Sequence, residues 1–135
     1  MKKVVTFGEV MVRLAPSEHY RFAQSCPGSM DLTFGGAESS VAASISMLGG
    51  SSRFVSALPQ HAIADAFVRQ MRGFKVDVDH VLRREAGRFG IYYVETGANQ
   101  RPSRVIYDRD YSAVSICSGE EYDWDAIFAD AQWLH

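Results

Sequence analysis

The stretch TFGGAESSVAASISMLGG, residues 33–50, sets a pair of glycines at each end of a run of small residues, and this is the strongest constraint the chain carries. A glycine in a regular element costs roughly 0.5–1 kcal/mol against alanine, so Gly35 and Gly36 at the mouth of a helix need a physical reason. Two reasons are open. The strand-to-helix turn could demand positive φ, or something could approach the backbone where a helix N-terminus offers unpaired N–H groups and the positive end of its dipole. Both readings prescribe the same local order. Met30, Leu32 and Phe34 alternate with Asp31 and Thr33 as a short half-buried strand. Ala37, Val41, Ile45 and Leu48 then recur as one apolar helical face, and Gly49 and Gly50 stop the helix. The alanines and serines beside that face predict close packing against a sheet.

The neighbouring segments extend this unit. Val4 to Phe7, ended by Gly8, reads as a strand buried on both faces. Pro16 to Ser29 carries two prolines and scattered polar residues and reads as loop with short extended pieces. Arg53 to Ala57 reads as a further strand, and Ile63, Phe67 and Met71 form the stripe of a second helix beyond Pro59. The rhythm is strand, helix, strand, helix, the pattern of an α/β layer fold. From Arg88 to Ser112 the period changes to two on either side of the turn-forming GANQRP, which predicts a β-hairpin interrupting that rhythm. Ser118 with Glu121 fits a capping box before a helix through Trp124, Ile127, Phe128 and Ala131. QWLH then reads as the start of a strand. A unit ending there would leave a sheet edge uncovered, so the chain is expected to be a fragment of a longer one.

Composition excludes several functions. With 135 residues the chain suffices for one ordinary core. Its 14 basic and 16 acidic residues, formal net charge −2, give no electrostatic footprint for nucleic acid. Cys26 and Cys117 have no metal or disulfide-framework spacing, which fits a reducing, cytoplasmic setting. No stretch approaches the ~20 apolar residues of a membrane span. His19, His61, His80 and His135 stand far apart, so no metal site is expected. Neither a phosphate-cradling G-x-x-x-x-G-K-[ST] nor a G-x-G-x-x-G occurs, and a G-x-S-x-G elbow is absent as well.

The chemistry-bearing side chains lie on the hairpin. Val105, Tyr107, Arg109 and Tyr111 fall on one face by strand alternation, and one of Tyr92 and Tyr93 joins it. A planar guanidinium fork among tyrosine hydroxyls suits an acidic polyol. An equally open reading makes this a solvated strand in which Arg109 pairs with Asp108 or Asp110. Glu9 and Arg13 sit just past the first strand, where parallel α/β sheets place ligand sites, and could instead be local ion-pairing residues.

With VVTFGEVMVRL, FGGAESSVAASISMLGG, RFVSALP and RPSRVIYDRDYSA in this order, the chain resembles the N-terminal part of the PfkB, or ribokinase-like, carbohydrate kinases, and among them the 2-keto-3-deoxygluconate kinases. The resemblance spans residues 1–135. It implies the N-terminal portion of a doubly wound α/β/α fold with a small β-sheet lid, made of excursions at about 10–36 and 88–112, that covers the sugar and often serves as a dimer clasp. It implies that Gly35 and Gly36 lie against the sugar, and that Tyr92, Tyr107 and Arg109 are lid residues contacting the keto-acid. Arg109 would face the carboxylate or a nearby hydroxyl. Ser40 stands where relatives commonly carry an asparagine reaching sugar hydroxyls, shortening or removing that contact. Ala64 and Lys75 replace two usual glycines.

The resemblance also places the catalytic aspartate, its anion hole and the nucleotide pocket in a C-terminal half that this sequence does not contain. ATP and Mg2+ are accordingly cofactors of a full-length enzyme, with no catalytic residue here and no activity expected of the isolated chain. The expected partners are a small sugar acid and a second copy of the chain, with neither nucleic acid nor membrane. Two alternatives remain: a non-catalytic sugar-binding or dimerisation module, and a kinase for a neutral sugar such as fructose or ribose.

Overall fold

The alternating periods of the sequence are realised in a computed structural model that describes residues 2–135. In chain order the elements are β1 (Lys3–Phe7), β2 (Met11–Ala15), α1 (Phe22–Ser25), β3 (Asp31–Gly35), α2 (Ala37–Met47), β4 (Ser52–Val55), β5 (Ala57–Pro59), α3 (Ala62–Gly73), β6 (Leu82–Arg84), β7 (Ile91–Glu95), β8 (Arg104–Asp108), α4 (Trp124–Phe128) and β9 (Ala131–Leu134), with a 3-10 turn at Gly119–Glu121. β1 lies between β4 and β9, parallel to both. Strand alternation sends Phe54 and Val55, both fully buried, to opposite faces of this sheet. Phe54 joins Val10, Ala42, Phe67 and Met71 on one side. Val55 joins Val5, Tyr122 and Ile127 on the other. The sheet is therefore covered on both faces, as a doubly wound α/β fold requires.

An ion cluster locks its ends. Arg53, buried on β4, donates from Nε to Asp77 at 2.8 Å and from Nη1 to Asp130 at 2.9 Å, while Lys3 on β1 reaches the same two carboxylates at 2.8 and 3.1 Å. Burial raises the Asp77 carboxyl's pKa, but hydrogen bonds from Lys3, the Asp79 N–H and Arg53 outweigh it and hold the group at about 2. Asp130 immediately precedes β9, so this cluster sets where that strand begins.

Several expectations need correction. The buried face of α2 is Ser39, Ala42 and Ser46 rather than Ala37, Val41, Ile45 and Leu48, and Leu48 is 88% exposed. The helix packs so closely on β1 and β4 that only small residues fit beneath it. Ser46 Oγ lies 2.7 Å from Ser52 Oγ, which in turn donates to the Ala42 carbonyl at 2.7 Å. On α3 Phe67 and Met71 are buried as expected, but Ala64 takes the inner position assigned to Ile63. The Ser118–Glu121 capping box forms, yet it caps the 3-10 turn. Asp123 caps α4 instead, accepting from the Ala126 N–H at 3.1 Å. The loop after Pro16 contains the one-turn helix α1, and Ala131 begins β9 rather than extending α4.

Candidate functional site

The hairpin at 88–112 forms as β7 and β8, and with β2 and β3 it makes a second sheet of order β3-β2-β7-β8. The segments about 10–36 and 88–112 thus supply its four strands. Strand registers place Thr33, Arg13, Tyr92 and Tyr107 on one line across one face. Tyr92, not Tyr93, joins the face of Tyr107, and the two rings lie 6.1 Å apart. Arg109 follows the end of β8 with its guanidinium 5.9 Å from the centre of the Tyr107 ring, within cation–π range. Tyr111 lies beyond the strand at φ 63°, so strand alternation does not extend to it.

The two glycines answer to packing, not to positive φ. Gly36, the N-cap of α2, has φ −175°, an extended conformation open to any residue. A Cβ there would stand 2.6 Å from the Glu9 carbonyl oxygen and 3.1 Å from Val10 Cα. A Cβ on Gly35 would stand 2.1 Å from the Tyr92 hydroxyl oxygen. Gly35 thus seats the tip of Tyr92, and Gly36 lets the β1–β2 connection run against the start of α2. Ser40 is exposed, one turn into α2, with its N–H bonded to the Gly36 carbonyl at 3.0 Å.

Charge on this face is arranged differently from either sequence reading. Arg109 pairs with Glu9, not with Asp108 or Asp110, and Asp108 is taken by Arg88. The Glu9 side chain is only 12% exposed, and its Oε1 is buried without a hydrogen-bond partner among the described residues. A Cβ on Gly90 would stand 2.6 Å from that oxygen, so the glycine that opens β7 makes room for the carboxylate. Gly8 does the same for Glu38, whose carboxyl carbon would lie 2.3 Å from a Cβ there. What these two glycines accommodate is not in the sequence reading, which takes Gly8 only as the end of the first strand and has Gly90 inside the alternating run. Arg13 makes no ion pair among the described residues.

The remaining candidates lie apart. His61 accepts the Ala64 N–H at 3.3 Å as the N-cap of α3, and His19 is bonded to the Gly97 carbonyl at 2.9 Å in the loops at the far end of the second sheet. Among the described residues no group of three or more His, Cys, Asp or Glu is arranged to hold a metal ion, and no helix is long and apolar enough to cross a membrane. The spaces made by Gly8, Gly35, Gly36 and Gly90 are filled by Glu38, Tyr92 and Glu9.

Comparison with known proteins fits this architecture. Residues 1–134 match the profile described as pfkB family carbohydrate kinase. The 2-dehydro-3-deoxygalactonokinase of Haloferax volcanii is 36% identical over 125 residues, which is 93% of this chain and 38% of that protein. The crystal structure of 2-dehydro-3-deoxygluconokinase from Thermotoga maritima superposes with a TM-score of 0.94 at 45% identity, covering 100% of this chain and 40% of that one. An uncharacterized sugar kinase from Pyrococcus horikoshii, solved in complex with ATP, shares the fold at 21% identity and a TM-score of 0.83, over 97% of this chain and 41% of its own. The chain therefore spans well under half the length of these relatives.

Proposed function

The chain belongs to the pfkB family of carbohydrate kinases, and on that premise we propose that it is the sugar-binding part of a longer enzyme that transfers the ATP γ-phosphate to the primary hydroxyl of a sugar acid such as 2-keto-3-deoxygluconate. The observation that carries this reading is the paired tyrosine face: Tyr92 and Tyr107 at 6.1 Å, with Arg109 over the second ring and Gly35 beneath the first. Aromatic faces stack on the apolar side of a sugar, and hydroxyl and guanidinium tips donate to its oxygens. Gly35, Gly36 and Ser40 border the sugar on one side and Tyr92, Tyr107 and Arg109 on the other, with the Tyr92 tip on Gly35 closing one end. The N–H groups of Arg109 that Glu9 leaves free face the substrate's carboxylate or a neighbouring hydroxyl.

Phosphoryl transfer rests on positioning and on charge stabilisation around the γ-phosphate. This chain supplies the positioning of the acceptor. ATP, Mg2+ and the base that orients the hydroxyl belong to the remainder of the enzyme, and the isolated chain is inactive. The kinase works in the cytoplasm as a homodimer joined through the lid sheet. Support for that contact comes from the opposite sheet face, where Leu32, Leu14, Tyr93 and Ile106 fall on one line, with Leu32 and Ile106 exposed. The test is ATP-dependent phosphorylation by the full-length protein of 2-keto-3-deoxygluconate, 2-keto-3-deoxygalactonate, fructose and ribose. Turnover of the acids above the neutral sugars is expected, and no phosphorylation across the set overturns the reading.

A further inference from the structure

The lid face carries two guanidinium groups, and they are not equivalent. Arg109 is neutralised by Glu9, a carboxylate held in place by burial and by the space at Gly90. An anion approaching Arg109 meets the Glu9 charge as well, so the pair attracts it weakly. Arg13 is half-buried on β2, on one line with Tyr92 and Tyr107, and among the described residues it has no ion-pair partner. Asp31, the other carboxylate that strand alternation puts on this face, is exposed, lies 3.5 Å from the Ser17 hydroxyl and forms no ion pair with Arg13. A half-buried guanidinium without an anion is an unmet demand, because Arg is the side chain whose fork best matches a carboxylate.

We propose that Arg13 is the specificity-determining residue that reads the substrate's carboxylate, while Glu9 fixes Arg109 as a hydrogen-bond donor to the sugar's neutral oxygens. This rests on the sugar-acid reading above and assigns which charge within that site selects the acid. A hydrogen bond to a charged group contributes enough to change affinity about 10- to 100-fold. A neutral isostere of the same ligand lacks the charge, so it has no such increment to lose when the guanidinium is removed.

The test measures binding of 2-keto-3-deoxygluconate and of its methyl ester to the full-length protein by calorimetry, in wild type and in Arg13→Met, Arg13→Lys, Arg109→Met and Glu9→Gln. Arg13→Met is expected to weaken the acid about 10- to 100-fold and the ester less than about 3-fold, and to reduce the salt dependence of acid binding. Arg13→Lys keeps most of the acid-to-ester ratio, which guards against reading a folding defect as lost recognition. Arg109→Met weakens both ligands alike. Glu9→Gln, which keeps a hydrogen-bond acceptor for Arg109 but removes the negative charge, tightens the acid relative to the ester. The inference is overturned if Arg13→Met weakens acid and ester equally or leaves both unchanged, or if the selective loss falls on Arg109→Met. Wild-type protein that binds neither ligand overturns the sugar-acid reading itself, and this inference with it. Acid binding that is indifferent to Arg13 overturns only the inference.

Discussion

Gly35→Ala isolates the reason for the first of the two glycines. The added Cβ would stand 2.1 Å from the Tyr92 hydroxyl oxygen, 3.0 Å from Cζ and 3.1 Å from Cε1, whereas ordinary contact begins at 3.4 Å. The hydroxyl must retreat by about 1.3 Å, and Tyr92 sits between Gly35 and the Tyr107 ring, so the retreat disturbs the tyrosine pair. Forcing extra volume into a packed place costs about 1–3 kcal/mol. Gly35 is not at positive φ, so replacing it by alanine also restricts the unfolded chain and returns roughly 0.4–1 kcal/mol. The net expectation is a loss of about 1–2 kcal/mol. In a Tyr92→Phe background the atom at 2.1 Å is gone, and the ring carbons need yield only a few tenths of an ångström. There the alanine becomes nearly neutral. Urea unfolding of the four proteins in a double-mutant cycle should give a coupling of about 1–2 kcal/mol between the positions. Additivity within about 0.5 kcal/mol would refute the claim that Gly35 exists to seat Tyr92.

Gly36→Ala meets main-chain atoms, the Glu9 carbonyl at 2.6 Å and Val10 Cα at 3.1 Å, so no side-chain change should rescue it; a loss of about 2–3 kcal/mol is expected by thermal or urea unfolding, unaltered in Tyr92→Phe. Asp77 has its pKa lowered to about 2, so its contribution is full above the unfolded carboxylate range and is lost as pH falls from about 4 to about 2. Asp77→Asn should therefore flatten the acid limb of the stability profile across that window, with a difference of about 2 kcal/mol between its ends. Lys75 has φ 64°, a left-handed conformation that opposes its side chain, and Lys75→Gly should be neutral or stabilising by up to about 1 kcal/mol in the same assay. On the proposed lid contact, Ile106→Lys should shift the full-length protein toward monomer in sedimentation while its far-UV spectrum stays that of the folded chain, since Ile106 is exposed in the single chain.

Much of the architecture was legible because period and punctuation agree. The runs at Val4–Phe7 and Met30–Phe34, the change to period two from Arg88, and the glycines after Leu48 each mark an element with its own backbone requirement. The faces of helices were harder. On α2 Met47 points outward while Ser39 and Ser46 point inward, because inter-element distance, which only the packed structure sets, decides what fits beneath the helix. The capping box at Ser118 has the expected chemistry but sits one element earlier than its pattern implies, since a 3-10 turn satisfies the same pattern. In the site, the stretch at 33–50 marks the glycine pair and strand alternation the Tyr107 face, while the family resemblance selects Tyr92 over Tyr93 and implies that the glycines lie against a sugar. The partner of Arg109 was hidden because Glu9 is 100 residues away, and local spacing favoured Asp108 and Asp110. The same long separation concealed what Gly8 and Gly90 accommodate.

The most direct test of the central claim, that the glycine pair and the tyrosine face border a sugar acid, is a backbone amide shift titration of the 135-residue chain with 2-keto-3-deoxygluconate. Saturable shifts centred on Gly35, Gly36, Tyr92, Tyr107 and Arg109, weaker with fructose at equal concentration, are predicted. Saturable shifts confined to other elements, or none at concentrations that saturate the full-length protein, would contradict it.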